Sequence, residues 1–199
     1  KACNGLDALA QAIESAWAAG STEQSREYSF RAVTLCAKYL QEILVPDAGC
    51  EALQGMMEAS NLAGKAINIS KTTAAHAWSY AITSHYGVPH GHAVWLTLPN
   101  IFEMHATAST EIITDPRGIE HFATVMKRLV DILGITSMEN SAEQLQLYLR
   151  AINIEGELAN VGADTSEKRV FLSKQVNMQR MSNNPVNLAQ SHINGIFDL

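Results

Sequence analysis

Three residues have the types and the spacing that a metal site needs: Asp7, His76 and His90. Both histidines lie in the stretch Lys71–Pro99, which holds four of the seven histidines, and they are 14 residues apart (90 − 76). A Gly-Val-Pro break separates them, so two different elements must bring the imidazoles together. One carboxylate and two imidazoles suit Fe(II) or Zn(II), and three protein ligands leave positions open for a substrate.

Each of these residues alone has an ordinary structural interpretation. Asp7 lies near the start of a helix, where a carboxylate favours the helix dipole. His76 alone is typical of a buried histidine with a hydrogen-bond partner, and His90 alone is typical of a helix N-terminus. Asp7 and Gln11, however, are four residues apart on one face of an otherwise apolar helix, where a carboxylate needs a partner. Taken together, the three residues favour a metal site.

The composition restricts the class of protein. The net charge is −6, and no cluster of Lys and Arg is long enough to follow a phosphate backbone, so we expect no nucleic-acid partner. No apolar run reaches the roughly 18 residues of a membrane span, and no signal peptide is evident, so we expect no membrane partner. Three cysteines without a C-x-x-C pattern indicate a reducing, cytoplasmic location. Cys36 and Cys50 are predicted to be small core residues.

Apolar residues recur at helical spacing along nearly the whole chain, and alternating apolar and polar residues are essentially absent. The pattern predicts one all-α unit of about eight or nine helices. The small residues between Cys50 and Ile69 predict close packing against another helix. The predicted helices cover the segment that ends before Gly20 and then 23–44, 50–69, 71–85, 90–105 with a kink at Pro99, 117–133, 141–161, 166–181 and 188–197.

The tryptophans and the other histidines receive structural interpretations. We expect the tryptophans to pack in the core and His85 to lie in a loop. The remaining histidines are predicted to be at the surface or partly buried. The tryptophans are Trp17, Trp78 and Trp95. The remaining histidines are His105, His121 and His192.

Four segments resemble those of the iron-containing (group III) alcohol dehydrogenases. GLDALAQAIES resembles their D-A-x-x-H-x-x-E segment, and MMEASNLAGKAI resembles their helix of small residues. HAWSYAITSHYGVPHGHAVWLTLP resembles their H-A-x-x-H…PHG…LP motif, and NNPVNLAQSHINGIF resembles their C-terminus. The resemblance runs from end to end. It implies that residues 1–199 form one helical metal-binding domain, similar to the C-terminal lobe of dehydroquinate synthase.

The resemblance implies a ligand set. Asp7, His76 and His90 match the family's metal ligands. Gln11 stands where most members have a fourth ligand, a histidine. Its amide oxygen would be a weak ligand, or the ion would keep three protein ligands as in the zinc-dependent relatives. The resemblance therefore implies either Fe(II) or Zn(II).

Two further residues are predicted to act on the substrate. Tyr80 stands where many members have a second active-site histidine. It lies one turn after His76, a position that suits orienting a ligand, contacting the substrate or packing in the core. His92 follows His90 by two residues and is predicted to contact cofactor or substrate. The combination of Gln11 and Tyr80 is similar to members that reduce phosphonoacetaldehyde.

The family also has an N-terminal lobe that binds NAD(P) through a glycine-rich turn. No two glycines of this chain are separated by a single residue, so no G-x-G element exists. The chain therefore resembles the C-terminal lobe alone, and we expect the N-terminal lobe to be a missing partner. The resemblance implies hydride transfer between NAD(P)H and a small aldehyde or alcohol, carried out by a homo-oligomer such as a dimer. The chain by itself should neither bind a dinucleotide well nor turn over substrate.

Two other functions compete with this one. The first is a zinc-dependent synthase or lyase of the dehydroquinate synthase type, which uses a similar metal cage. That class surrounds a phosphorylated substrate with basic residues, and only Lys38, Lys65 and Lys71 lie near the motifs here. The second is a helical interaction module without metal. Metal analysis separates the interaction module from both enzymes.

Overall fold

The computed structural model describes residues 1–199, and its regular elements are all helical. A single antiparallel bridge between Ile113 and Val186 joins two loops. The all-α prediction is confirmed. The α-helices are α1 (Ala2–Trp17), α2 (Glu23–Tyr39), α3 (Cys50–Ser70), α4 (Ala74–Tyr86), α5 (His90–Trp95), α6 (Leu98–Ala106), α7 (Ile119–Leu133), α8 (Ser141–Ala151), α9 (Ser166–Lys174), α10 (Met178–Met181) and α11 (Gln190–Phe197). Short 3₁₀ helices lie at Glu42–Leu44 and Leu158–Val161.

The structure has more helices than the predicted eight or nine because two predicted helices are divided. The segment 90–105 breaks between Trp95 and Leu98 into α5 and α6. Pro99 lies in the first turn of α6, where its missing N–H has no helical partner to lose. The segment 166–181 breaks into α9 and α10, and the Asn177 side chain caps α10 by accepting from the Arg180 amide.

Helix α1 lies at the centre of the molecule, in contact with α2, α3, α5 and α7. Its side chains are buried on nearly every side, and the three tryptophans are buried as predicted. The small residues of α3 pack closely against α2, because a Cβ added at Gly55 would lie 2.2 Å from the Tyr39 ring. Ala59 and Ala63 are fully buried along the same helix. No helix is both long and apolar enough to cross a membrane.

The predictions for Cys50 and His85, which lie outside the candidate metal site, are wrong. Cys50 is exposed, because it is the first residue of α3 and lies outside the packed face of that helix. Cys36 is buried as predicted, and burial raises the pKa of its thiol to about 12. His85 belongs to the last turn of α4 and not to a loop, with its ring against Phe171.

His105 is fully buried, which corrects its predicted surface or partly buried position. It lies on α6, with its ring 4.5 Å from the Trp17 ring, and the Asn184 side chain lies 3.2 Å from Nε2. Burial lowers its pKa to about 3, and the negative charge of Glu14 offsets only part of that effect. His105 is therefore neutral in the folded protein at neutral pH.

This neutral histidine should make the fold sensitive to acid. The pKa is about 3 in the folded state against an ordinary 6.5, so the unfolded chain binds more protons between those values. The stability that His105 contributes is present above pH 6.5 and is lost as the pH falls toward 3. We expect His105→Phe to flatten the dependence of the unfolding free energy on pH in this range. Urea denaturation at pH 7.5 and pH 5 measures the free energy of unfolding, and His85→Gln, which alters an exposed histidine, is the control. An equal dependence of the unfolding free energy on pH in both variants would contradict the prediction.

Candidate metal centre

A polar stripe on α1 forms the floor of the site. Asp7, Gln11 and Glu14 are separated by four and then three residues, so they lie on one face of the helix. His76 lies in the first turn of α4, and His90 is the first residue of α5. The fold places both imidazoles above the α1 stripe. One donor atom from each of Asp7, His76 and His90 lies within 4.8 Å of the other two.

The distances fit a shared cation. Nε2 of His76 lies 3.4 Å from Oδ1 of Asp7, and Nε2 of His90 lies 3.8 Å from the same oxygen. Two ligands that are each about 2.1 Å from a tetrahedral ion are roughly 3.4 Å apart. Oδ1 of Asp7 and Nε2 of His76 are buried and have no hydrogen-bond partner. Buried polar atoms without a partner are costly, and a cation between them would satisfy both.

Glu14 holds His76 from the opposite side of its ring. This fully buried carboxylate accepts hydrogen bonds from Oγ1 of Thr73 (2.7 Å), from the amide of Ala75 (2.8 Å) and from Nδ1 of His76. Nε1 of Trp17 donates to the same Thr73 hydroxyl at 2.8 Å. With the Nδ1 proton directed to Glu14, the neutral form of the ring presents the lone pair of Nε2 to Asp7. Carboxylates behind metal-binding histidines commonly fix the ring and its tautomer in this way.

The charges of the site perturb the pKa values of its members. Burial opposes protonation of His76, but the negative charges of Glu14 and Asp7 and the hydrogen bond to Glu14 outweigh it and raise the pKa of His76 to about 9. Burial likewise opposes ionisation of Glu14, and the charge of His76 reverses that effect and lowers the pKa of Glu14. Burial, and after it the charge of His76, lowers the pKa of His90.

Gly91 lets α5 approach α1 closely enough to bring His90 to Asp7. A Cβ at position 91 would lie 1.9 Å from the carbonyl oxygen of Cys3 and 2.9 Å from the amide nitrogen of Asp7. Only a residue without a side chain permits this backbone contact. The glycine that follows His90 in the sequence is therefore required by helix packing at the candidate site.

The other predicted site residues surround this cluster in different ways. Gln11 donates its amide nitrogen to Oδ2 of Asp7 at 3.0 Å, so it supports the Asp7 carboxylate directly, and ligation through its oxygen stays a prediction. The Tyr80 ring lies 5.5 Å from the His90 ring, and 43% of the residue is exposed. His92 is not part of the cluster, and its Nε2 lies 2.5 Å from the carbonyl oxygen of Glu155.

Two contributors were not identified from the sequence. Glu14 had a local signal, because it lies seven residues after Asp7 on the same helical face. Arg180 had none, since it lies 90 residues (180 − 90) after His90 along the chain. Its guanidinium lies 5.5 Å from the centre of the Tyr80 ring, at the edge of the site.

The chain matches a known family over nearly its whole length. Residues 1–198 match the model of the Fe-containing alcohol dehydrogenase family, C-terminal. A phosphonoacetaldehyde reductase of Streptomyces viridochromogenes is 31% identical over 182 residues, which are 90% of this chain and 44% of that protein.

Solved structures of similar proteins have the same fold. A sulfoacetaldehyde reductase from Bifidobacterium kashiwanohense, solved in complex with NAD⁺, superposes with a TM-score of 0.81 at 26% identity, covering 99% of this chain and 49% of the other. A 1,3-propanediol oxidoreductase superposes equally well, with a TM-score of 0.81 at 22% identity, and covers 99% of this chain and 50% of the other. The chain thus spans about half the length of these relatives.

Proposed function

We propose that this chain, which belongs to the iron-containing alcohol dehydrogenase family, is the metal-binding part of an NAD(P)-dependent oxidoreductase that interconverts an aldehyde and an alcohol. The observation that carries the proposal is the pair of unpartnered buried atoms, Oδ1 of Asp7 and Nε2 of His76, which lie 3.4 Å apart beside His90. The donor set of one carboxylate and two imidazoles fits Fe(II) or Zn(II).

The residues of the site have different roles in binding the ion and the substrate. Asp7, His76 and His90 would hold the ion, and it would polarise the oxygen of the substrate while the nicotinamide of NAD(P) exchanges hydride with the carbon. Glu14 keeps the Nε2 lone pair of His76 directed into the site. The side chain of His90 is 37% exposed, so the centre is open toward solvent on that side for a substrate to enter.

Tyr80 would form one wall of the substrate position. Its ring stands beside His90 and is partly exposed, which suits contact with a small aldehyde or alcohol. A role of His92 toward cofactor or substrate stays a prediction, because its Nε2 contacts the Glu155 carbonyl. For the substrate we propose phosphonoacetaldehyde, supported by the similarity to the Streptomyces enzyme and by the combination of Gln11 and Tyr80.

The whole enzyme would need a partner for the metal-binding domain formed by residues 1–199. We propose that an N-terminal lobe supplies the NAD(P) site, because this chain has no G-x-G turn and spans about half the length of its relatives. We also propose that the enzyme is a cytoplasmic homo-oligomer.

Titration of zinc into the metal-free chain, and of Fe(II) without oxygen, tests the metal site. We expect one strong site per chain and a loss of affinity of more than about 100-fold in Asp7→Ala, because a metal ligand is removed. Gln11→Ala should cost clearly less than Asp7→Ala, because its neutral amide only supports Asp7 through a hydrogen bond. Gln11→His should tighten binding, because imidazole is the better ligand. Asp131→Ala, a carboxylate exposed on α7, is the control.

Two outcomes would contradict this proposal. Equal losses of affinity in Gln11→Ala and Asp7→Ala would show that the ranking of the ligands is wrong. The absence of strong metal binding by the unaltered chain would refute the metal-dependent function itself.

A further inference from the structure

A cationic cleft lies beside the metal centre. It has a volume of roughly 520 Å³ and is lined by polar side chains alone, among them Lys71, Arg180 and Asn183. Two of its lining residues are cations and none is a carboxylate, although the chain as a whole carries a net charge of −6. A cleft with this lining favours an anion.

Arg180 connects the cleft to the metal centre. Its guanidinium lies 5.5 Å from the centre of the Tyr80 ring, and the Tyr80 ring lies 5.5 Å from the ring of His90. Tyr80 therefore has both Arg180 and His90 as neighbours, each about 5.5 Å from its ring centre. A small molecule with its oxygen at the metal centre and a charged group a few bonds away would extend toward Arg180.

Arg180 has unused hydrogen-bonding capacity. Nη1 donates to Oγ1 of Thr72, and this is the one hydrogen bond that its side chain makes. No carboxylate forms a salt bridge with it, although the side chain is partly buried, whereas Arg31 and Arg117 are both paired. A guanidinium carries five N–H donors in a planar fork that matches the oxygens of phosphonate or sulfonate groups.

We propose that Arg180 forms a subsite for an anionic group of the substrate, a phosphonate or a sulfonate, whose aldehyde or alcohol oxygen lies at the Asp7, His76 and His90 centre. The proposal rests on the proposed function and specifies the substrate class of that site. Charge-assisted bonds from a guanidinium to these oxygens are stronger than bonds between neutral groups. Lys71 makes a smaller contribution, because its side chain is exposed and its Nζ donates to the carbonyl oxygen of Asn68.

The test compares three alcohols of similar size in the zinc-loaded chain. They are 2-hydroxyethylphosphonate, 2-hydroxyethanesulfonate and neutral 1-propanol, and their dissociation constants are measured by NMR titration. We expect the phosphonate to bind most tightly, because it carries the greater negative charge. Arg180→Ala should weaken phosphonate binding about tenfold or more and change 1-propanol binding little. Arg180→Lys should be intermediate, since it keeps the charge and loses the fork.

Lys127→Ala, which removes one positive charge from the exposed surface of α7, is the control and should behave like the unaltered chain. Equal phosphonate affinity in Arg180→Ala and the unaltered chain would overturn the subsite. An equal loss of phosphonate and 1-propanol binding would also overturn it, because Arg180 would then only support the structure.

Zinc content, measured on the same samples, separates the two proposals. If the chain retains zinc and its phosphonate affinity does not change in Arg180→Ala, the subsite alone is refuted. A chain that binds no zinc refutes the metal function, and the phosphonate titrations of its zinc-free form still decide the subsite by the same comparison of variants.

Discussion

Replacement of Glu14 by glutamine is expected to weaken zinc binding by about 10- to 100-fold while the fold is retained. Glutamine has nearly the same shape, and its oxygen can still accept from Thr73 and the Ala75 amide, which both bind Oε1 of Glu14. Its NH₂ group would then face Nδ1 of His76. A donor at that position forces the proton of the imidazole onto Nε2, where it blocks the lone pair that a metal needs.

Long-range ¹H–¹⁵N NMR of the histidine rings distinguishes this mechanism from simple destabilisation. In the metal-loaded protein with Glu14, the Nδ1 proton of His76 should be present and protected from exchange, because Glu14 accepts it in a buried position. In metal-free Glu14→Gln the neutral ring should carry its proton on Nε2. Glu58→Gln, which alters an exposed carboxylate of α3, is the matched control. Unchanged zinc affinity in Glu14→Gln would contradict the positioning role.

Gly91→Ala is expected to abolish strong metal binding. The new Cβ would overlap the backbone of α1, at 1.9 Å from the Cys3 carbonyl oxygen, and backbone atoms cannot move aside as a flexible side chain does. Helix α5 must therefore shift away from α1 and take His90 away from Asp7. Overpacking of this kind also costs about 1–3 kcal/mol of stability or more.

Gly64→Ala provides a matched control for this substitution. Gly64 lies inside α3 with open space around its missing Cβ, so alanine there should stabilise the protein by roughly 0.5–1 kcal/mol. Urea denaturation and zinc titration of both variants measure the two effects. Zinc affinity in Gly91→Ala equal to that of the unaltered chain would show that the close contact between α1 and α5 does not position His90.

The helical class and the convergence of Asp7, His76 and His90 could be predicted from the sequence. Periodic apolar residues specify helices locally, and the chemistry of Asp7, His76 and His90 indicates a shared ion whatever the path of the chain between them. Glu14 was readable in principle, because a buried carboxylate on the face of Asp7 requires a partner. The hydrogen bond that it makes with His76 spans 62 residues, and helical periodicity contains no information about such pairs.

Other features depend on contacts between distant segments, which local sequence patterns do not predict. His105 is buried because Trp17, Phe122 and Asn184 from distant segments surround it, although its own helix is short. Cys50 is an apolar residue type at a helix start, and its exposure follows from which face of α3 meets α2. Arg180 lies in a four-residue helix, and its place beside Tyr80 follows from the docking of that helix on α4.

X-ray absorption spectroscopy of the zinc-loaded chain is the most direct test of the metal centre. The fine structure should show two imidazole nitrogens and oxygen ligands at about 2.0–2.2 Å, with no sulfur. His76→Ala should remove one imidazole from the spectrum, or the zinc altogether. A zinc ion coordinated by sulfur, or a spectrum unchanged in His76→Ala, would place the metal elsewhere and contradict a centre built from Asp7, His76 and His90.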